Sequence, residues 1–344
     1  MKRERRHRQS CALRASLAAT GLLLSACREQ QTMQSVLHPA GIDALVISDM
    51  AWLLFGGGAL IFIAVMLLLA CGLSRRQRKV RPMVWIVGLG FAFPVTVLTL
   101  LLAYGVVRSR QLTPPLSQGA LVISVTARMW WWEVRYRDES DEAGGRDITL
   151  ANEIHIPVGR PVYIALGSDD VIHSFWVPAL AGKVDTIPGR LTRLRVQADR
   201  AGVFRGQCAE YCGEQHARMA LHVVAEAPQA FDAWLANQAK PARAADNALL
   251  ERGRQLFVEQ RCSACHAIRG VKEEAVAGRA LGPDLTHVGG RLFLAAGTLR
   301  NDRGALQSWI ANAQHIKQGA RMPSFDAMHQ QDLHALSAYL EHLK

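Results

Sequence analysis

The chain has 344 residues, half of them hydrophobic, and a formal net charge of +11. That length exceeds one ordinary domain and leaves room for two soluble domains plus membrane segments. Residues 1–26 hold six Lys/Arg against one Glu, and the stretch 74–82 adds Arg75, Arg76, Arg78, Lys79 and Arg81 with no acid, so ten of the eleven charges lie in two short runs. The remainder is nearly neutral, which excludes the footprint of a nucleic-acid binder and leaves the basic runs as topology signals.

In chain order, the first 26 residues combine a basic start with an apolar run from Ala15 to Leu24, the pattern of an export signal. Leu24-Ser25-Ala26-Cys27 resembles a bacterial lipobox, which implies lipidation of Cys27 and a lipoprotein-type signal over 1–26; an uncleaved signal-anchor is the alternative. Residues 27–112 read as a membrane anchor with transmembrane helices at about 50–73 and 83–107, because neither apolar run holds a charged residue and each can cross the hydrocarbon core. The basic connector between them belongs in the cytoplasm, so both outer ends and the soluble remainder belong on the exporting side. Pro94 predicts a kink in the second span. Cys71 reads as a packing residue.

Beyond the spans, Leu121–Tyr136, Ile148–Ile156, Pro161–Leu166, Leu191–Gln197 and Met219–Val224 are strand-like and are separated by Gly- and Pro-containing turns. Short strands without long intervening helices predict an all-β sandwich or barrel over 113–226. Residues 227–247, rich in Ala and holding Pro228 and Pro241, read as a helical turn and linker. A helical domain over 248–344 follows, with helical periodicity in Leu249–Gln260 and Gln331–Leu343.

Two cysteine pairs remain, and paired cysteines in an exported chain default to disulfides. Cys208-Ala209-Glu210-Tyr211-Cys212-Gly213-Glu214-Gln215-His216-Ala217-Arg218-Met219 brings thiolate, imidazole and thioether donors into one loop, a set that selects copper over harder cations. His173 follows a predicted strand and can add a second imidazole. Two bridging cysteines could hold two copper ions and share one electron between them, in a site suited to electron transfer. A tetrahedral zinc site of His173, Cys208, Cys212 and His216 is the competing metal reading, and a disulfide would leave both histidines and Met219 unexplained.

Over residues 45–226 this pattern resembles the binuclear CuA subunit of cytochrome c oxidase, whose soluble domain is a cupredoxin-like Greek-key barrel. The resemblance implies that Cys208 and Cys212 bridge the coppers, that His173 and His216 are terminal ligands, and that Met219 is a weak axial ligand. It further implies that Glu210 gives its backbone carbonyl and directs its side chain toward a magnesium site shared with subunit I. Of Trp130, Trp131 and Trp132, a strand would set the first and third on one face; core packing explains at least one of them, and the resemblance implies that Trp130 marks the electron-entry surface. The second span departs from the family: its cytoplasmic start, Arg81-Pro82-Met83-Val84-Trp85, lacks the usual proton-channel glutamate.

Cys262-Ser263-Ala264-Cys265-His266 joins two thiols that can bond haem vinyl groups to a histidine that can bind the iron. A disulfide or zinc half-site is the alternative. The region 248–344 resembles class I cytochrome c, with Gly253 and Phe257 on its first helix and Gly282-Pro283-Asp284-Leu285 as the loop supporting His266 through the Pro283 carbonyl. Met322 in a Met-Pro pattern is the expected sixth ligand, with Met328 and His315 as alternatives.

Together the two resemblances imply subunit 2 of a haem-copper cytochrome c oxidase, and the basic connector and export signal imply a bacterial inner membrane. Electrons would pass from a cytochrome c or a quinol-oxidising complex through haem c and CuA to subunit I, with subunit III as a further partner and no catalytic residue in this chain. The alternatives are the entry subunit of a CuA-type nitric oxide reductase and a stand-alone anchored electron-transfer protein.

Overall fold

The computed structural model describes residues 33–73, 81–112, 120–137, 147–271 and 281–344. The expected signal sequence, Cys27 and most of the basic connector lie outside the described residues.

Helix α1, Ile42–Leu73, has 32 residues, and a second helical stretch spans Val84–Ser109. At about 1.5 Å per residue both are long enough to cross a membrane, and their apolar side chains, Leu60 and Phe62 among them, are exposed in the isolated chain. The first helix begins eight residues earlier than its apolar run. Asp43, Ala44 and Val46 are buried against the β-domain, with Asp43 in an ion pair with Arg195. This pairing supplies the partner that a buried carboxylate requires. Arg195 also donates to the Gln111 carbonyl, and Arg108 pairs with Asp49 at 2.6 Å, so the ends of both helices nearest the β-domain are tied together and to it. The kink expected at Pro94 takes the form of a register change: Val84–Ala92 is π-helical, with the Phe93 N–H reaching the Gly88 carbonyl, and α2, Phe93–Ser109, continues as an α-helix with proline in its first turn.

The β-domain is two five-stranded sheets. The first has the order β3–β2–β1–β5–β8, from Ile148–Ala151, Trp131–Tyr136, Leu121–Arg128, Val162–Ser168 and Thr192–Val196. The second has the order β4–β10–β9–β6–β7, from Glu153–Pro157, Ala220–Glu226, Gly202–Cys208, His173–Trp176 and Val184–Thr186. The β1–β5 and β10–β4 pairs are parallel and the others antiparallel. Alternating residues such as Ile123, Val125 and Ala127 of β1 face a core that includes Trp132, Tyr136, Ile164 and Phe175. The buried Tyr136 hydroxyl donates to the His155 carbonyl and accepts from its N–H, at 2.9 and 2.8 Å.

Two expected strands are each divided. The run Leu121–Tyr136 turns at Met129–Trp130 into a hairpin, so Trp130 does not share a strand face with Trp132. The run Ile148–Ile156 breaks at Asn152, whose positive φ of 61° sends the chain from one sheet to the other. Asn152 is suited to that left-handed conformation, and its side chain accepts from the Trp132 N–H at 2.8 Å.

Helix α3, Pro228–Gln238, occupies much of the expected linker. It packs on the β-domain through Phe231 and through Trp234, which stacks on His155 with ring centroids 3.8 Å apart. The C-terminal domain holds α4 (Ala248–Glu259), α5 (Arg303–Ile316) and α6 (Gln330–His342). Asn247 and Asp302 cap the first two by accepting from Leu250 and Ala305 N–H groups. Gly253 lets α4 touch α6: a Cβ there would lie 2.2 Å from the Ala335 carbonyl oxygen. This otherwise helical domain also has a two-residue hairpin, Phe293–Leu294 with Leu299–Arg300, which meets the β-domain.

Candidate functional site

The β-sandwich brings His173 and Cys208 together because Phe175 of β6 pairs with Cys208 at the end of β9. The loop leaving β9 returns at Met219, whose carbonyl accepts the Cys208 N–H at 2.9 Å, so Cys212, His216 and Met219 fold back over Cys208. The two sulfurs are 3.8 Å apart, too far for a disulfide bond. His173 Nδ1 lies 3.8 Å from the Cys208 sulfur, His216 Nδ1 3.6 Å from the Cys212 sulfur, and the Met219 sulfur 3.9 Å from Cys212. The ligand atoms of His173, Cys208 and Cys212 all lie within 4.8 Å of one another. The Glu210 carbonyl is 3.2 Å from the Cys208 sulfur, while its side chain is exposed. His173, Cys208, Cys212 and Met219 are buried, and the donor set is soft, as copper prefers.

Asp170 is a residue that the motif reading left out. Its Oδ1 is 2.7 Å from His173 Nε2, which turns the other ring nitrogen toward Cys208. Burial works against the Asp170 charge, but hydrogen bonds from His173 and from the Met129 and Val171 N–H groups hold the carboxyl below its ordinary range. Burial also opposes protonation of His173, yet the Asp170 and Cys208 contacts raise its pKa. The Cys212 thiol hydrogen-bonds to the Cys208 sulfur and pulls that thiol down to about 3, while the resulting pairing and burial push Cys212 up. The pair therefore gives up its first proton easily and its second only to a strong competitor such as a metal.

Trp130 sits in the β1–β2 turn, half-buried, and its indole Nε1 donates to the Cys212 carbonyl at 2.9 Å. Trp132 is fully buried and packs edge-on against Phe175, with centroids 5.5 Å apart. Trp131 lies beneath the Arg128 guanidinium.

In the C-terminal domain Cys262 and Cys265 are free thiols beside His266. His266 Nδ1 lies 2.7 Å from the Pro283 carbonyl, leaving Nε2 as the available metal-binding atom. Burial is the chief cause of a lowered His266 pKa, which keeps the ring neutral. Gly282 lies flat against that ring, where a Cβ would come 2.7 Å from the imidazole Cε1. Two thiols, a neutral oriented imidazole and a glycine-lined approach fit a covalently bound haem. Met322 and Met328 both pack on the core of this domain, whereas His315 is exposed on α5. The Gln314 amide fixes the Met322 loop by donating to the Ala320 and Met322 carbonyls, both at 2.6 Å.

The two domains meet beside the thiolate cluster. His222 stacks on Phe293 with centroids 3.9 Å apart, the Ala220 N–H donates to the Ala296 carbonyl at 3.0 Å, and the Leu292 N–H reaches Glu153 at 2.8 Å. Lys317 is buried in the same contact. No motif marks these residues.

Comparison with known proteins places this geometry in a family. The profile described as cytochrome c oxidase subunit II, periplasmic domain, matches residues 121–227, and the cytochrome c profile matches 250–344. Cytochrome c oxidase subunit 2 of Lycodon semicarinatus is 30% identical over 159 residues, which cover 42% of this chain and 69% of that protein. The chain belongs to the cytochrome c oxidase subunit 2 family. The subunit 2 proteins of Alkalihalophilus pseudofirmus and Bacillus subtilis are 39% and 31% identical over 231 and 235 residues, or 67% and 66% of this chain. The chain spans 64% of the length of each of these two relatives. The periplasmic domain of subunit II of cytochrome oxidase (CoxB) of Bradyrhizobium japonicum, at 28% identity, gives a TM-score of 0.31 and covers 37% of this chain and 96% of that one. As a subunit 2 family member with a cytochrome c domain, the chain has a fold that implies copper in its β-domain and haem in its helical domain.

Proposed function

We propose that this chain is the electron-entry subunit of a cytochrome c oxidase, carrying electrons from a reduced donor through haem c and binuclear CuA to a partner subunit that reduces oxygen to water. The observation that carries the proposal is the buried cluster of His173, Cys208 and Cys212, with their ligand atoms within 4.8 Å of one another, flanked by His216 and Met219. Cys208 and Cys212 would bridge two coppers, His173 and His216 would be terminal ligands, and Met219 and the Glu210 carbonyl would be weaker ones. Cys262 and Cys265 would hold the haem, with His266 and Met322 on the iron. Methionine paired with histidine raises a haem potential, which suits transfer to copper.

The rest of the chain supports membrane attachment. Asp43, Asp49, Arg108 and Arg195 tie both membrane helices to the β-domain, so a partner held by the helices would be held at a fixed distance from the copper cluster. Haem-copper subunit I, and with it subunit III, are the proposed partners in a bacterial inner membrane, with both soluble domains on the outer side. Glu210, exposed beside the cluster, would face the magnesium site shared with subunit I, and Cys27 would carry a lipid. The proposed units are 1–26, 27–112, 113–226, 227–247 and 248–344.

The test is purification of the complex from native membranes with metal and haem analysis. Copper and its near-infrared band should be present and should disappear in Cys208→Ser and Cys212→Ser, with covalent haem retained. Recovery of the chain without a haem-copper catalytic subunit, or with a nitric oxide-reducing partner, would overturn the oxidase assignment. An unchanged near-infrared band in both variants would overturn the copper site.

A further inference from the structure

An ionisable side chain is buried where the two soluble domains meet. Lys317 follows α5 and is 4% exposed, although lysine is almost never buried without partners. Its ammonium donates to the Trp130 carbonyl at 2.7 Å, to the Arg218 carbonyl at 2.9 Å and, more weakly, to the Ala295 carbonyl at 3.4 Å. These three acceptors match the three donors of an ammonium, and two of them belong to the other domain. Arg218 answers in the opposite direction by donating to the Ile316 carbonyl. The contact is therefore reciprocal, and removing the ammonium would leave these partly buried carbonyls without their donor.

Both ends of this contact lead to candidate metal ligands. Toward the haem, Gln314 of α5 binds the Met322 carbonyl, so the helix that delivers Lys317 also fixes the axial-ligand loop. Toward the copper, Trp130 accepts from Lys317 through its carbonyl and donates through its indole to the Cys212 carbonyl at 2.9 Å. One run of covalent and hydrogen bonds thus joins the Met322 loop to Cys212 by way of Lys317 and Trp130. Electron tunnelling through bonded atoms loses less coupling than tunnelling across open gaps.

We infer that Lys317 is a positioning residue for transfer between the two centres: it latches the haem-bearing domain onto Trp130 and so fixes the route to the copper ligands. The inference rests on the reading of the two metal sites proposed above. It also means that the chain's own domain covers part of the surface around Trp130.

The test uses the full chain with copper and haem loaded, comparing the native protein with Lys317→Met, Lys317→Arg and Arg218→Ala. Hydrogen exchange of the backbone at 216–220 and 292–298 reports docking, and laser photoreduction of the haem followed at the near-infrared copper band reports transfer. Lys317→Met should speed exchange at both segments and slow transfer, each by about tenfold or more, with haem and copper spectra unchanged. Lys317→Arg should recover part of both losses. Arg218→Ala, a change at an exposed side chain, should give a smaller effect in the same direction, and serves as the deciding variant if Lys317→Met does not fold. Native exchange and transfer rates in Lys317→Met, or in Arg218→Ala where that variant decides, would overturn the latch. Absence of haem-to-copper transfer in the native, fully loaded chain would overturn the functional reading instead, and the exchange measurement would still judge the latch.

Discussion

The indole Nε1 of Trp130 donates a 2.9 Å hydrogen bond to the backbone carbonyl of Cys212. This contact holds the loop carrying the candidate copper ligands Cys212, His216 and Met219 against the turn between β1 and β2. Trp130→Phe keeps an aromatic ring in place and removes that bond together with indole atoms packed near Gly213 and Gly319. The loss should be about 1 kcal/mol of stability, with a displaced near-infrared copper band and slower transfer from the haem. Thermal unfolding and laser photoreduction check the two parts. An unaltered band and rate would show that the turn does not act on the site.

Asp170 orients His173 through a 2.7 Å contact to Nε2. Asp170→Asn removes the charge and keeps the size. Copper affinity should fall by about 10–100-fold, the usual effect of losing the partner that orients a metal-bound imidazole. Competition with a copper chelator measures it. Affinity equal to that of the native chain would leave Asp170 a purely structural loop residue.

Met322 and Met328 both pack against the haem-domain core. With Met322 as the sixth ligand, Met322→Leu should shift the ferrous haem spectrum toward five-coordination and lower the reduction potential, while Met328→Leu should keep both near native. Redox titration of the two variants distinguishes them. The reverse pattern would move the axial role to Met328.

His222 gives a pH dependence with a definite sign. Burial, assisted by the nearby Arg205 charge and opposed by Glu153, lowers its pKa from 6.5 to about 4. The folded chain therefore keeps a neutral ring stacked on Phe293, while the unfolded chain protonates first as the pH falls. The stabilisation is complete above pH 6.5 and is lost progressively toward pH 4, up to about 3 kcal/mol. His222→Gln, which cannot titrate, should show a shallower loss of unfolding temperature between pH 7 and 5. Equal slopes would contradict this assignment.

Much of the arrangement is visible in local sequence. The apolar spans, the Cys208–Met219 loop and the Cys262–His266 segment each place their chemistry within a short stretch, so side-chain type and spacing suffice. Other parts depend on contacts distant in the chain. The β9 segment, Gly202–Cys208, has two glycines and an arginine, a weak strand pattern, and forms because β10 and β6 flank it. Asn152 divides an apparently continuous strand because its backbone adopts a positive φ. The first helix extends back to Ile42 because Arg195, 152 positions later, provides a partner for Asp43. Lys317 reads as an ordinary surface lysine until the fold supplies three carbonyls around it.

The central claim is that electrons pass within this chain from the haem held by Cys262, Cys265 and His266 to the copper held by Cys208 and Cys212. Laser photoreduction of the haem in the fully loaded chain, with absorbance followed at the haem and in the near infrared, tests it most directly. The account predicts reoxidation of the haem in step with bleaching of the copper band, and loss of both phases in Cys212→Ser. A haem that stays reduced beside fully loaded, oxidised copper would contradict it.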